Sequence, residues 1–177
     1  MMMMWKGLLA LFIAVMLATT VQAVPVTPGG NVALSGTTVA ARPELAGVVV
    51  EDVLRPFTIN DASGLVATGQ VQDRVIRETA SGTLTFSYRI INDVSSAGPI
   101  VYFYPRSFTG FATDVDFRLD GLGTVGPSAA YRFGDGQFQF VFTGGGINPG
   151  QQSRFFFVKT DAISYNAGGG AHITSMV

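Results

Sequence analysis

Apolar residues recur at every second position along most of this chain, which is the pleat of a half-buried strand and not the repeat of a helix. Three segments carry the pattern cleanly. In residues 83–90, Leu84, Phe86, Tyr88 and Ile90 share one face, and Thr83, Thr85, Ser87 and Arg89 share the other. The first row reads as core. In residues 111–120, Phe111, Thr113, Val115, Phe117 and Leu119 alternate with Ala112, Asp114, Asp116, Arg118 and Asp120, and the second row reads as facing water. In residues 137–143, Phe138, Phe140 and Phe142 oppose Gln137, Gln139, Val141 and Thr143.

Weaker patterns predict further strands over residues 37–41, 47–53, 57–60, 65–78, 100–104, 129–133 and 154–160. Turn chemistry separates them. Asn60-Asp61-Ala62-Ser63-Gly64, Ser81-Gly82, Gly134-Asp135-Gly136 and Asn148-Pro149-Gly150 tolerate positive φ or pre-set a bend. No amphipathic helix of ten or more residues is visible after the leader. Short strands at this spacing predict an all-β fold, an antiparallel β-sandwich of jelly-roll or Ig-like type, with a closed β-barrel as the alternative. Residues 24–35 are rich in Pro and Gly and read as a flexible leader, residues 36–165 as the sandwich domain, and residues 166–177 as a Gly-rich tail or edge strand.

The first 23 residues change the compartment. One cation, Lys6, precedes an unbroken apolar run over residues 8–18, and Val21-Gln22-Ala23 sets small residues at both positions a signal peptidase reads. Cleavage after Ala23 is expected. An uncleaved anchor is the alternative, but the run is about half of the roughly 20 residues needed to span a bilayer. The remaining 154 residues suffice for one domain with its own core. They contain no cysteine, so neither disulfides nor thiolate metal sites hold the fold. Loss of Lys6 leaves 10 basic residues against 12 acidic, with no basic face for nucleic acid. No later apolar stretch approaches membrane length, so no membrane association is expected after cleavage.

Candidate chemistry is sparse. The single histidine, His172, lies in the Gly-rich tail, where a side chain without a role is the plainer reading than a triad or metal ligand. Gly144-Gly145-Gly146 lacks the Gly-Lys-Ser/Thr of a phosphate loop. Asp114 and Asp116 point the same way roughly 7 Å apart along one strand. With Asp120 and the carbonyls of residues 121–123 they form a candidate calcium site; a solvated face beside Arg118 is the competing reading. Asp73 falls in the same row as Val71 and Val75, where Arg74, Arg77 or Arg89 would pair with it unless a bulge turns it outward. Tyr102 with Tyr104, and Phe155 with Phe157, each share one face of a strand whose other face is also apolar. Exposed, such pairs are a ligand-binding patch; buried, they are core.

Val71-Gln72-Asp73-Arg74-Val75, Gly82-Thr83-Leu84-Thr85-Phe86, residues 116–123, and Asn148-Pro149-Gly150 leading into Ser153-Arg154-Phe155-Phe156-Phe157 together resemble exported bacterial proteins of the kind often carrying a PEP-CTERM sorting tag. The resemblance implies a surface or exopolysaccharide-associated protein and carries no catalytic residue to this chain. No Pro-Glu-Pro tag, apolar helix or basic terminus precedes Val177, so free secretion is expected in place of sortase-like anchoring. The leading expectation is therefore a secreted, non-catalytic protein with no obligatory cofactor, acting in the envelope or matrix on polysaccharide or a surface protein. A carbohydrate-binding module using the aromatic rows is the second expectation. A small hydrolase using Asp114, Asp116 or Glu78 is the third. Edge strands also offer self-assembly by strand addition.

Overall fold

The computed structural model describes residues 25–176; the expected signal peptide and its cleavage point lie outside the described residues. Ten strands follow in chain order: β1 Asn31–Ala33, β2 Val48–Asp61, β3 Gly64–Arg77, β4 Leu84–Asn92, β5 Ile100–Pro105, β6 Thr113–Phe117, β7 Ala129–Arg132, β8 Phe138–Val141, β9 Phe156–Thr160 and β10 Ala171–Ser175. One 3₁₀ turn, Pro43–Ala46, is the helical element among the described residues. The strands form two five-stranded sheets, ordered β2-β3-β4-β9-β6 and β1-β7-β8-β5-β10, with antiparallel ladders throughout. Neither sheet closes on itself, so the barrel alternative is incorrect and the chain is an antiparallel β-sandwich.

The core lies where the alternating rows of the two sheets meet. Phe103, Phe138 and Phe140 come from the second sheet and Phe156 from the first, and all are fully buried. Phe156 sits among four rings, with centroids 5.3 Å from Phe103, 4.8 Å from Phe140, 5.5 Å from Phe142 and 5.9 Å from Tyr88. Burying each such side chain contributes about 1.5–3 kcal/mol, and tilted or edge-on ring pairs add roughly 0.5–1.5 kcal/mol. This cluster supplies what disulfides supply in small disulfide-rich domains.

Local chemistry sets the long β2–β3 hairpin. The Asp61 carboxylate accepts the Ser63 amide at 2.7 Å, and Gly64 takes φ +123°, together closing the turn. The strands expected at 47–53 and 57–60 are one 14-residue strand, since Pro56 interrupts nothing in an edge strand whose outer side donates to no neighbour. Of the expected leader over residues 24–35, the described part, residues 25–35, is not patternless: Val26 is core, and β1 adds to β7 with Asn31 opposite Tyr131. The strand expected at residues 37–41 is absent. Thr37 makes one bridge to Arg118, after which residues 38–46 turn and lie over the outer face of β6 and β9. Leu45, buried there, anchors that cover.

At the β2 edge the sheets part. Phe57, Phe86 and Tyr88 belong to the inner face of the first sheet yet remain only partly buried, whereas Ile90 on the same row is fully covered. Residues 106–111 and 162–170 wall the resulting cleft of about 510 Å³. Buried Arg132 fixes the first wall by donating to the carbonyls of Phe108 at 3.0 Å and Phe111 at 2.8 Å, and to those of Val26 and the Thr113 hydroxyl at 2.8 Å.

Candidate functional site

The aspartate row is not the open face expected, although the Asp120 side chain at its end stays 39% exposed. Residues 36–46 cover the row, and each carboxylate is engaged by protein donors. Arg42, 3% exposed, donates from Nη1 and Nη2 to the two oxygens of Asp114 at 3.0 and 3.2 Å, and from Nε to Glu44 at 2.8 Å. The same guanidinium lies 5.5 Å from the Phe157 ring centroid. Asp116 accepts the amides of Gly36 and Phe117, both at 2.9 Å. Gly36 has φ +78°, and a Cβ there would fall 2.7 Å from the Phe117 ring, so this approach requires glycine. Asp120 accepts the Val39 amide at 2.8 Å and Arg118 Nε at 2.6 Å. Burial pushes the Asp114 carboxyl above its ordinary range against the pull of Arg42, and pushes that of Asp116 up likewise. Among the described residues no three His, Cys, Asp or Glu side chains group as metal ligands. The row is a buttress between a crossing segment and a sheet.

The two aromatic pairs have opposite fates. Phe155 and Phe157, on the outer side of the first sheet, are 6% and 1% exposed, which excludes them as a surface patch. Arg74 stacks 4.4 Å from the Phe155 centroid with Arg89 at 5.5 Å, while residues 36–46 cover Phe157. Tyr102 and Tyr104 lie half-buried on the outer face of β5, ring centroids 6.1 Å apart, and among the described residues no further layer covers them. Register extends this face across the whole sheet. Asn31, Tyr131, Gln139, Tyr104 and His172 form one row, and Ala33, Ala129, Val141, Tyr102 and Thr174 form the next, all exposed or half-buried. Tyr131 is 41% exposed, Gln139 donates to the Tyr104 hydroxyl at 2.9 Å, and the His172 ring lies 5.8 Å from that of Tyr104. Five strands make this surface roughly 19 Å wide. His172 thus lies in β10, on this aromatic face.

The inner row of the first sheet ends in charge. No bulge turns Asp73 outward: its register runs unbroken between Val53 and Tyr88, and its partner is Arg55, not Arg74, Arg77 or Arg89. Arg55 donates from Nε to Asp73 Oδ2 at 2.6 Å and lies 3.5 Å from Glu51 through Nη2, bridging two carboxylates at the cleft mouth. Burial pushes the Asp73 carboxyl above its ordinary value, Arg55 pulling the other way. Desolvation, with Asp73 nearby, pushes the Tyr88 phenol up, and Glu51 does the same to Tyr165. Sequence reasoning missed Glu51 and Arg55. They share the parity of Phe57 and Ile59, a signal available only when residues 48–61 are read as one strand. Glu78, the remaining carboxylate considered for hydrolysis, accepts bonds from Ser81 and Thr83 and pairs with Lys159 at 3.6 Å.

The chain matches no known family model, no curated protein and no solved structure.

Proposed function

We propose that this protein is a secreted, non-catalytic adhesion module of the cell envelope or matrix that binds polysaccharide through the tyrosine face of its second sheet. One observation carries the reading: Tyr102, Tyr104 and Tyr131 share a solvent-open sheet face with Gln139, Asn31 and His172. Phenol rings offer apolar faces to the C–H faces of sugar rings, while amides and hydroxyls serve sugar hydroxyls. A width of roughly 19 Å suits an extended chain better than a single small molecule. The export leader read from the sequence agrees with such a partner.

The test is retention of the purified chain on a panel of insoluble polysaccharides, with calcium and again with chelator. Selective retention is expected, reduced at least about 10-fold in Tyr104→Ala combined with Tyr131→Ala and indifferent to chelator, because protein donors engage Asp114, Asp116 and Asp120. Undiminished retention of the double variant, or soluble reducing sugar released during incubation, would overturn the reading.

A second reading has its own observation. The free edge strand β2 exposes Val48, Val49, Val50, Val53 and Leu54, a run suited to strand addition between copies of the chain.

A further inference from the structure

The cleft at the β2 edge plays no part in binding through the tyrosine face, which belongs to the other sheet's outer surface. Its composition is unusual for the inside of a sandwich. Position 73 of β3 sits in a row where Val71 and Val75 are core, yet it carries a carboxylate, and β2 opposes that row with Glu51 and Arg55. Core positions carry ionisable groups only where pairing or water offsets the desolvation. Here both operate: Arg55 spans the two carboxylates, and the cleft keeps the group wetted. Asp73 lines the cavity, and among the described residues Arg55 engages its Oδ2 while its Oδ1 has no protein donor.

Charge selects the ligand class. Glu51 and Asp73 oppose an anion, and Arg55 with Arg106 opposes a cation; Arg74 also lines the cleft, but its guanidinium is turned to the outer face, paired with Asp52 and stacked on Phe155, so the remaining charges balance. It nonetheless presents carboxylate acceptors, guanidinium donors and the Tyr165 hydroxyl beside the ring surfaces of Phe57, Phe86 and Phe111. A ligand matching all of these has many hydroxyls, no net charge and apolar ring faces. The volume, about 510 Å³, falls within the roughly 300–1,000 Å³ of small-molecule sites. We infer that the cleft binds a short neutral oligosaccharide, with Asp73 and Glu51 accepting sugar hydroxyls and the aromatic lining packing on ring faces. This site is separate from the tyrosine face and does not require it.

Titration calorimetry of the full chain against cellotriose, maltotriose and trigalacturonate tests the inference. Saturable binding of at least one neutral trisaccharide is expected, with trigalacturonate at least about 10-fold weaker. Asp73→Asn is expected to weaken binding about 10-fold or more, the loss of a hydrogen bond to a charged acceptor. Phe111→Ala changes an exposed wall residue outside every strand and is expected to weaken binding with its melting temperature unchanged, which keeps the test valid if Asp73→Asn folds poorly. Tyr104→Ala with Tyr131→Ala is expected to leave trisaccharide affinity unaltered, so failure of either site is read separately. Absence of saturable binding by both neutral sugars, preference for trigalacturonate, or undiminished affinity in folded Asp73→Asn and Phe111→Ala would each overturn the inference.

Discussion

Asp114→Ala tests whether residues 36–46 are a structural layer or a loosely resting loop. Arg42 is 3% exposed, and the substitution removes the acceptors of its two terminal nitrogens, at 3.0 and 3.2 Å, leaving Glu44 as the remaining carboxylate. Hydrogen bonds to charged groups contribute about 1.5–3 kcal/mol each, and breaking a buried pair by deleting one member costs about 3–5 kcal/mol. Because Glu44 still neutralises the guanidinium, the lower end applies, about 3 kcal/mol. For a domain of this size that is a fall in melting temperature of about 6–12 °C. Thermal unfolding followed by circular dichroism, with urea titration for the free energy, supplies both numbers. Arg42→Met combined with Asp114→Leu removes both charges and is expected to recover most of the loss, since apolar replacement of a buried pair is often neutral. A single-variant loss below about 1 kcal/mol, the range of an exposed pair, would refute the buttress.

Asp73 and the β2 edge supply the remaining expectations. The folded Asp73 carboxyl titrates above its ordinary 3.8, so between that value and its folded pKa the native state binds more protons than the unfolded chain. Stability contributed at this site therefore falls as pH rises through that window; urea midpoints of the wild type, referred to those of Asp73→Asn, are expected to decline there, and a rise would contradict burial as the dominant cause. Strand addition through β2 predicts an apparent mass above that of a monomer in concentrated solution. Static light scattering checks this, Val50→Lys with Leu54→Lys is expected to restore the monomer, and a wild type that stays monomeric would remove the second reading.

The errors of sequence reading share a physical origin. A period of two assigns residues to opposite faces of a strand but does not say what lies over either face. Alternation places Asp114 and Asp116 side by side, yet the arginine that pairs with Asp114 lies 72 residues away along the chain, and no local signal joins the two. Phe155 and Phe157 carried the same alternation as Tyr102 and Tyr104. Their burial depends on Arg74, Arg89 and Arg42 reaching across from other segments. Tyr131 lay in a predicted strand, but its membership of the tyrosine face needed the β7–β8–β5 register.

Short-range sterics and solvation are legible along the chain: all-β character from alternation, hairpin closures from Asp, Asn, Pro and Gly, and a core of phenylalanine rows in place of disulfides. Tertiary structure decided the rest. It paired β1 with β7 and β10 with β5, drew residues 36–46 over the aspartates, left one sheet's tyrosines open, and parted the sheets above Asp73. Those outcomes depend on register and layering between segments far apart in the chain, where a side chain's surroundings are supplied by residues that its own neighbours in sequence do not specify.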